Sequence, residues 1–138
     1  MKAVITVLLL VSACLAQSSS DGSFVVLRAT KHGSSLTPAE MREAEKLYRY
    51  TCAEVHDDFH NGTELHPRFT VILGARRNEV HGEKEIWLTK WNPAMFAEGV
   101  VVVAFHDVLS ADVIGRLARR ALQYSDTMVD VVELKQNR

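Results

Sequence analysis

Three histidines, His56, His60 and His66, fall within eleven residues of a 138-residue chain, with three residues between the first two and five between the last two. Two imidazoles four positions apart on a helix lie on one side, a turn apart, and can hold a single ion. Asp57 and Glu64 stand beside them as oxygen donors. The chemistry this pattern points to is the binding of a divalent transition ion such as zinc by His56, His60 and His66. The plainer alternative is a helix C-terminus, where imidazoles are favoured near the negative end of the dipole and the acids are solvated.

A second constellation is aromatic. Trp87, Thr89 and Trp91 alternate with Ile86 and Leu88. If the aliphatic pair faces a core, the indoles and the threonine form an exposed platform suited to a sugar or a peptide. The alternative is that the tryptophans are themselves core, or pack under the segment 93–98. His106-Asp107 follows an apolar run at the expected end of a strand, where ligand sites of open α/β sheets gather, although Asp107 equally suits a turn. Arg116, Arg119 and Arg120 either meet an anionic partner or are solvated. Phosphate-binding glycine loops, CxxC pairs and nucleophile elbows do not occur in the chain.

In spacing, residues 56–66 resemble the metzincin zinc motif HExxHxxGxxH, in which a glycine turn brings in the third histidine. The resemblance covers eleven residues and implies a zinc-dependent hydrolase. Asp57 stands where that motif has its catalytic glutamate, and Gly62 comes one position early. Some forty mature residues precede the segment, too few for the sheet expected before such a helix.

These residues have to be positioned by a chain that first leaves the cell. Met1-Lys2, the apolar run Ala3 to Val11 and the small residues up to Ala16 read as a secretory signal. The run is about half of the ~20 residues a membrane span needs. Two processing routes are open. Cleavage after Ala16 discards Cys14, whereas Val11-Ser12-Ala13-Cys14 looks like a bacterial lipobox, whose cysteine is lipidated and becomes the N-terminus. Residues 1–16 are then the signal, or 1–13 with lipidated Cys14, residues 17–22 a polar tether and residues 23–138 a single domain. Asn61-Gly62-Thr63 is a glycosylation acceptor in a eukaryotic secretory pathway. The formal charge is −1, and it becomes −2 once Lys2 leaves, so no basic field draws nucleic acid. With Cys52 as the one cysteine left in the folded part, no internal disulfide forms; its place on a helix's apolar stripe makes it a small buried hydrophobe.

The elements follow from periodicity. Ser23 to Ala29 reads as a strand. Thr37-Pro38-Ala39-Glu40 is a capping box opening a helix to about Phe59, with Met41, Ala44, Tyr48, Cys52, Val55 and Phe59 on its apolar stripe. Arg68 to Ala75 and Glu85 to Trp91 alternate as strands around a hairpin-like loop, 76–84. Pro93 to Glu98 makes a short helix before Gly99, and Val100 to Phe105 then reads as a buried strand because β-branched runs favour one. One helix from Pro93 through Val108 is the competing reading. Ser110 caps a helix with Val113, Leu117, Ala118, Ala121 and Tyr124 inward, and Met128 to Leu134 closes the chain as a strand.

The expected fold is an α+β sandwich of the split βαβ, ferredoxin-like type with an added strand, two main helices packing on a mixed sheet. The expected function is an exported, non-enzymatic domain that binds a partner protein, a peptide or an envelope component, with no cofactor; nucleic acid is excluded and a membrane is reached only through an N-terminal lipid. The alternative is a metal-binding or metal-dependent hydrolytic domain. If residues 93–108 are one helix, the order is similar to a reduced zincin-like layout, which implies a degenerate, inactive relative. Sheet edges also permit a homodimer.

Overall fold

The structure, a computed structural model, describes residues 16–58, 66–105 and 109–136, with side chains described as far as Ser125. Among the described residues, five strands and three helices form the expected α+β sandwich on a mixed sheet: β1 (Ala16–Ser18), β2 (Phe24–Arg28), α1 (Pro38–Asp58), β3 (Phe69–Leu73), β4 (Glu79–His81), β5 (Glu85–Leu88), α2 (Pro93–Ala104) and α3 (Ala111–Gln136). The sheet order is β1-β2-β3-β5-β4. β2, β3 and β5 run parallel, and β1 and β4 are antiparallel edges.

Helix α1 starts where its capping box requires. Thr37 N–H donates to Glu40 Oε1 at 2.9 Å, and Glu40 N–H donates to Thr37 Oγ1 at 3.1 Å, satisfying two otherwise orphaned donors. Its buried stripe is Ala44, Leu47, Tyr48, Thr51, Cys52 and Val55. Between β2 and α1, Gln17 clamps the loop: its carboxamide donates to Leu36 O at 2.8 Å and accepts from Leu36 N at 2.9 Å.

Several elements differ from the sequence reading. The segment 17–22, expected as a tether, belongs to a hairpin. Ser19 is buried, its backbone N–H donates to Phe24 O at 2.9 Å, and Ser20 N–H donates to Glu45 Oε1 at 2.7 Å. The loop 76–84 contains β4, turned by Gly82 at φ 64°. β5 ends at Leu88 rather than Trp91.

Residues 93–104 are one helix, not a short helix and a strand. Asn92 Oδ1 accepts from Met95 N at 3.2 Å as the cap, and Pro93 occupies the first turn. Gly99 is a packing position rather than a stop: a Cβ there would lie 2.8 Å from Ile86 Cγ2, so glycine is what lets α2 approach the sheet. The valines cost each at most ~0.7 kcal/mol of helix propensity. Burying a valine side chain returns ~1.5 kcal/mol or more, and Val100, Val101 and Val103 are 0%, 0% and 6% exposed. Packing therefore overrides local preference.

Ser110 caps α3 as expected, accepting from Val113 N at 3.4 Å. Residues 128–134 continue that helix instead of forming a strand, since no glycine or proline interrupts Arg116 to Gln136. Tyr124, expected inward, is 55% exposed.

The core lies on one face of the sheet. Phe24 and Val26, Phe69, Val71 and Leu73, and Ile86 and Leu88 point into it and are each at most 5% exposed. Phe24 and Phe69 stack at 5.4 Å, and Phe96 of α2 meets both at 5.5 and 6.0 Å. A smaller cluster of Val55, Val101, Ala104 and Leu117 joins the three helices.

Candidate functional site

A recess lies where the β4–β5 hairpin meets α2 and the start of α3. Asn78 closes the open end of the hairpin, its Oδ1 accepting from Thr89 N at 2.9 Å. Below it, Val80, Ile86 and Leu88 of the sheet, Met95 and Val102 of α2 and Ile114 of α3 line a mostly apolar cavity of about 260 Å³. Gly99, which packs against Ile86, and Ala111 complete its lining. Glu79 and Glu98 stand at its rim, and Glu79 is held in an ion pair with Arg77 at 2.6 Å. β4 is a terminal strand, so one side of it is free for pairing among the described residues. No spacing in the sequence signals this recess; the period-two alternation of Ile86 and Leu88 was its one legible wall.

The histidine constellation is partly assembled. His56, near the end of α1, and His66, in the connector to β3, line one cavity of about 400 Å³ with Asp21, Cys52 and Asp57. The connector is pinned beside α1 because Tyr48 Oη donates to Pro67 O at 3.0 Å. Burial pushes the Tyr48 hydroxyl and the Cys52 thiol each up to about 12. Cys52 is therefore a neutral thiol, as expected of a buried hydrophobe rather than a nucleophile. Asp21 is held below the usual carboxylate range by hydrogen bonds from Ser23 and Ser19. His60 and Glu64 lie outside the described residues, and among those described no group of three or more His, Cys, Asp or Glu is placed to hold a metal ion.

The aromatic constellation is divided. Trp87 sits on the sheet face away from the helices, stacked on His81 at 4.4 Å and 17°, with its Nε1 donating to Glu85 Oε1 at 3.0 Å. Thr89 lies past the end of β5. Trp91 turns back onto the core, 5.3 Å from Phe96, and donates to Glu43 Oε2 at 3.2 Å. The strand stops at Leu88, so alternation no longer holds Thr89 and Trp91 on the face of Trp87. Thr89 and Trp91 meet instead in a cleft of about 320 Å³ with Ser34 and Glu40, at the C-terminal ends of β3 and β5.

The remaining candidates resolve simply. Arg116 reaches Asp58 at 3.7 Å, and Arg120 reaches Asp58 at 3.4 Å and Glu54 at 3.8 Å, so two of the three arginines tie α3 to α1. Burial holds the Glu54 carboxyl above its ordinary range, opposed by Arg120. Cys14, His106 and Asp107 lie outside the described residues. No helix among the described residues is long and apolar enough to cross a membrane. No protein-family model matches the chain, and neither a curated protein nor a solved structure matches it.

Proposed function

We propose that the chain is an exported, non-enzymatic binding domain whose ligand is an extended peptide lying along β4, with one apolar side chain in the cavity beneath. The observation that carries this reading is an apolar recess of about 260 Å³ opening beside an unpaired strand edge. That volume lies just below the ~300 Å³ at which sites for whole small molecules begin, and suits a single leucine- or phenylalanine-sized group. An added strand supplies backbone hydrogen bonds, while the pocket chooses the side chain. Burying such a group contributes roughly 1.5–3 kcal/mol. Glu98 at the rim, with Glu79 already paired to Arg77, favours a basic neighbour in the peptide.

Selection of random displayed peptides against the mature domain tests the reading. Enriched sequences should share one large apolar position, and Val102→Phe, which fills the recess, should weaken them at least about tenfold, equal to ~1.4 kcal/mol. Equal binding to Val102→Phe, or no enrichment, rejects it.

A second reading is favoured by His56 and His66 facing one cavity: a zinc-type ion bound by His56, His60 and His66. Elemental analysis of untagged protein, with and without alanine at the three positions, decides it. Near-stoichiometric metal lost in the triple variant supports the site, and metal absent from both removes it.

A further inference from the structure

Strands β2, β3 and β5 run parallel, so the loops that follow them, residues 29–36, 74–78 and 89–92, gather at one end of the sheet. Backbone bonds lash their roots together: Ala29 N–H donates to Leu73 O and Gly74 N–H to Leu88 O, each at 2.8 Å. Together with Arg28, the last residue of β2, the loops bring Lys31, Arg76, Arg77 and Lys90 to this end. These are five of the sixteen Lys and Arg, and the same segments hold none of the seventeen Asp and Glu. In a chain of net charge −1 this concentrates positive charge at the end of an open sheet where ligands gather. Glu79 neutralises Arg77, whereas Arg28, Lys31, Arg76 and Lys90 pair with no carboxylate among the described residues.

All three loops line the cleft of about 320 Å³: Ser34 and Ser35 from the first, Gly74 from the second, and Thr89, Lys90 and Trp91 from the third. That volume is enough for a small ligand group, since such sites begin near ~300 Å³. Trp91 is a fixed wall, held by its ring contact with Phe96 at 5.3 Å and its bond to Glu43 at 3.2 Å. Glu40 also lines the cleft. Its Oε1 accepts from Thr37 N, and its Oε2 remains as an acceptor.

We propose that this end of the sheet binds an acidic saccharide, with one sugar ring in the cleft against Trp91 and the acid groups of neighbouring rings on Lys31, Arg76 and Lys90. A sugar ring offers hydroxyls to Ser34, Ser35, Thr89 and the open oxygen of Glu40, and an apolar face to an indole. Its charged groups, outside the cleft, meet cations. A nucleic-acid strand fits worse, because it carries a phosphate at every nucleotide and Glu40 and Glu43 would repel one at the cleft. A saccharide separates its charges with neutral hydroxyls, so an uncharged stretch can enter. The cleft shares no lining residue with the recess under β4, and the proposal therefore stands apart from the peptide reading.

Isothermal titration of the purified protein with a heparin hexasaccharide and with an oligogalacturonate of equal length tests this. The first probe carries sulfate and carboxylate, the second carboxylate alone. Binding of either supports the site, and the preferred one names the acid group. Lys31→Ser combined with Lys90→Ser should weaken the better ligand at least about tenfold. Arg116→Ser with Arg119→Ser removes the same charge from α3, away from these loops, and should change affinity less than about twofold. Ser34→Phe puts a ring in the cleft without altering charge and should weaken binding at least about fivefold. All five positions are exposed, and an unchanged thermal midpoint confirms that each variant folds. No binding of either probe, equal losses in the two double variants, or wild-type affinity in Ser34→Phe overturns the proposal. So does an oligodeoxythymidylate that binds more tightly than both saccharides and is lost with Lys31 and Lys90, since the surface would then serve a nucleic acid.

Discussion

One set of strands presents two unlike faces. On the helix side, Phe24, Val26, Phe69, Val71, Leu73, Ile86 and Leu88 are almost wholly buried beneath three helices. On the other side, Val25, Leu27, Ile72 and Trp87 are half-buried beside Thr70 and Glu85, with no described helix over them. Both follow from the two-residue side-chain period, so a single alternating pattern makes a core and a surface of mixed apolar and polar residues at once. The first face holds the fold together.

The largest expected effect separates the two faces directly. Phe96 is fully buried and contacts Phe24, Phe69 and Trp91. Phe96→Ala should cost about 3–5 kcal/mol in urea unfolding. Trp87→Ala, on the uncovered face, should cost at most about 1 kcal/mol, mostly its cross-strand packing with Ile72 and its stack on His81. Similar losses for the two would erase the distinction.

Next in size is the close approach of α2. In Gly99→Ala the new methyl would lie 2.8 Å from Ile86 Cγ2 and 2.9 Å from its Cδ1, so the buried Ile86 side chain or α2 must shift. A loss of about 1–3 kcal/mol is expected, less what alanine returns in helix propensity. In an Ile86→Ala background the same change should cost far less, and a double-mutant cycle on thermal unfolding measures that coupling. Additive losses would show that glycine is not there for the contact.

The same residues show what was legible in the sequence. The capping box at Thr37, the stripe on α1 and the alternation of Phe69, Val71 and Leu73 are local signals, and each element formed where its signal stood. Gly99 and the valines after it carry opposite local and tertiary meanings. A glycine that breaks a helix and one that lets a helix touch a sheet look alike until the partner, Ile86, is known. β4 has three residues, two of them charged or titratable, too short to show a period. For the sites, the sequence brought forward His56 and His66, which do face one cavity. The recess under β4 is built from residues that look like ordinary core, so no spacing could announce it. Strand alternation groups Trp91 with Trp87 only while the strand lasts, and the backbone leaves the sheet after Leu88.

A smaller effect tests how the helices are joined below the core. Arg120 meets Asp58 and Glu54 across the α1–α3 interface, and all three are partly exposed. Arg120→Ala should cost about 0.2–1 kcal/mol, shrinking further as salt screens the pairs. A loss independent of salt would mean that the arginine stem, rather than its charge, joins the helices.

The smallest effect concerns the hairpin that connects the uncovered face to the chain's beginning. Asp21 accepts from Ser23 N at 3.0 Å and from Ser19 Oγ at 2.9 Å, and these bonds hold its carboxyl below the ordinary value of 3.8. A carboxyl with a lowered folded-state pKa adds stability above its unfolded value and loses it as the pH falls through the folded one. The hairpin should therefore loosen below about pH 4. In Asp21→Asn that part of the acid dependence should flatten, while stability at neutral pH falls slightly because the charge-assisted bonds are lost. Hydrogen exchange at Ser19 and Phe24, whose amides close the hairpin, reads the local change directly. Lower protection at low pH, measured against the intrinsic exchange rate at each pH, in wild type but not in the variant would locate the acid-sensitive joint beside β1. An unchanged difference between pH 7 and pH 3 would mean that the Gln17 clamp on Leu36, which carries no titratable group, holds this edge of the sheet by itself.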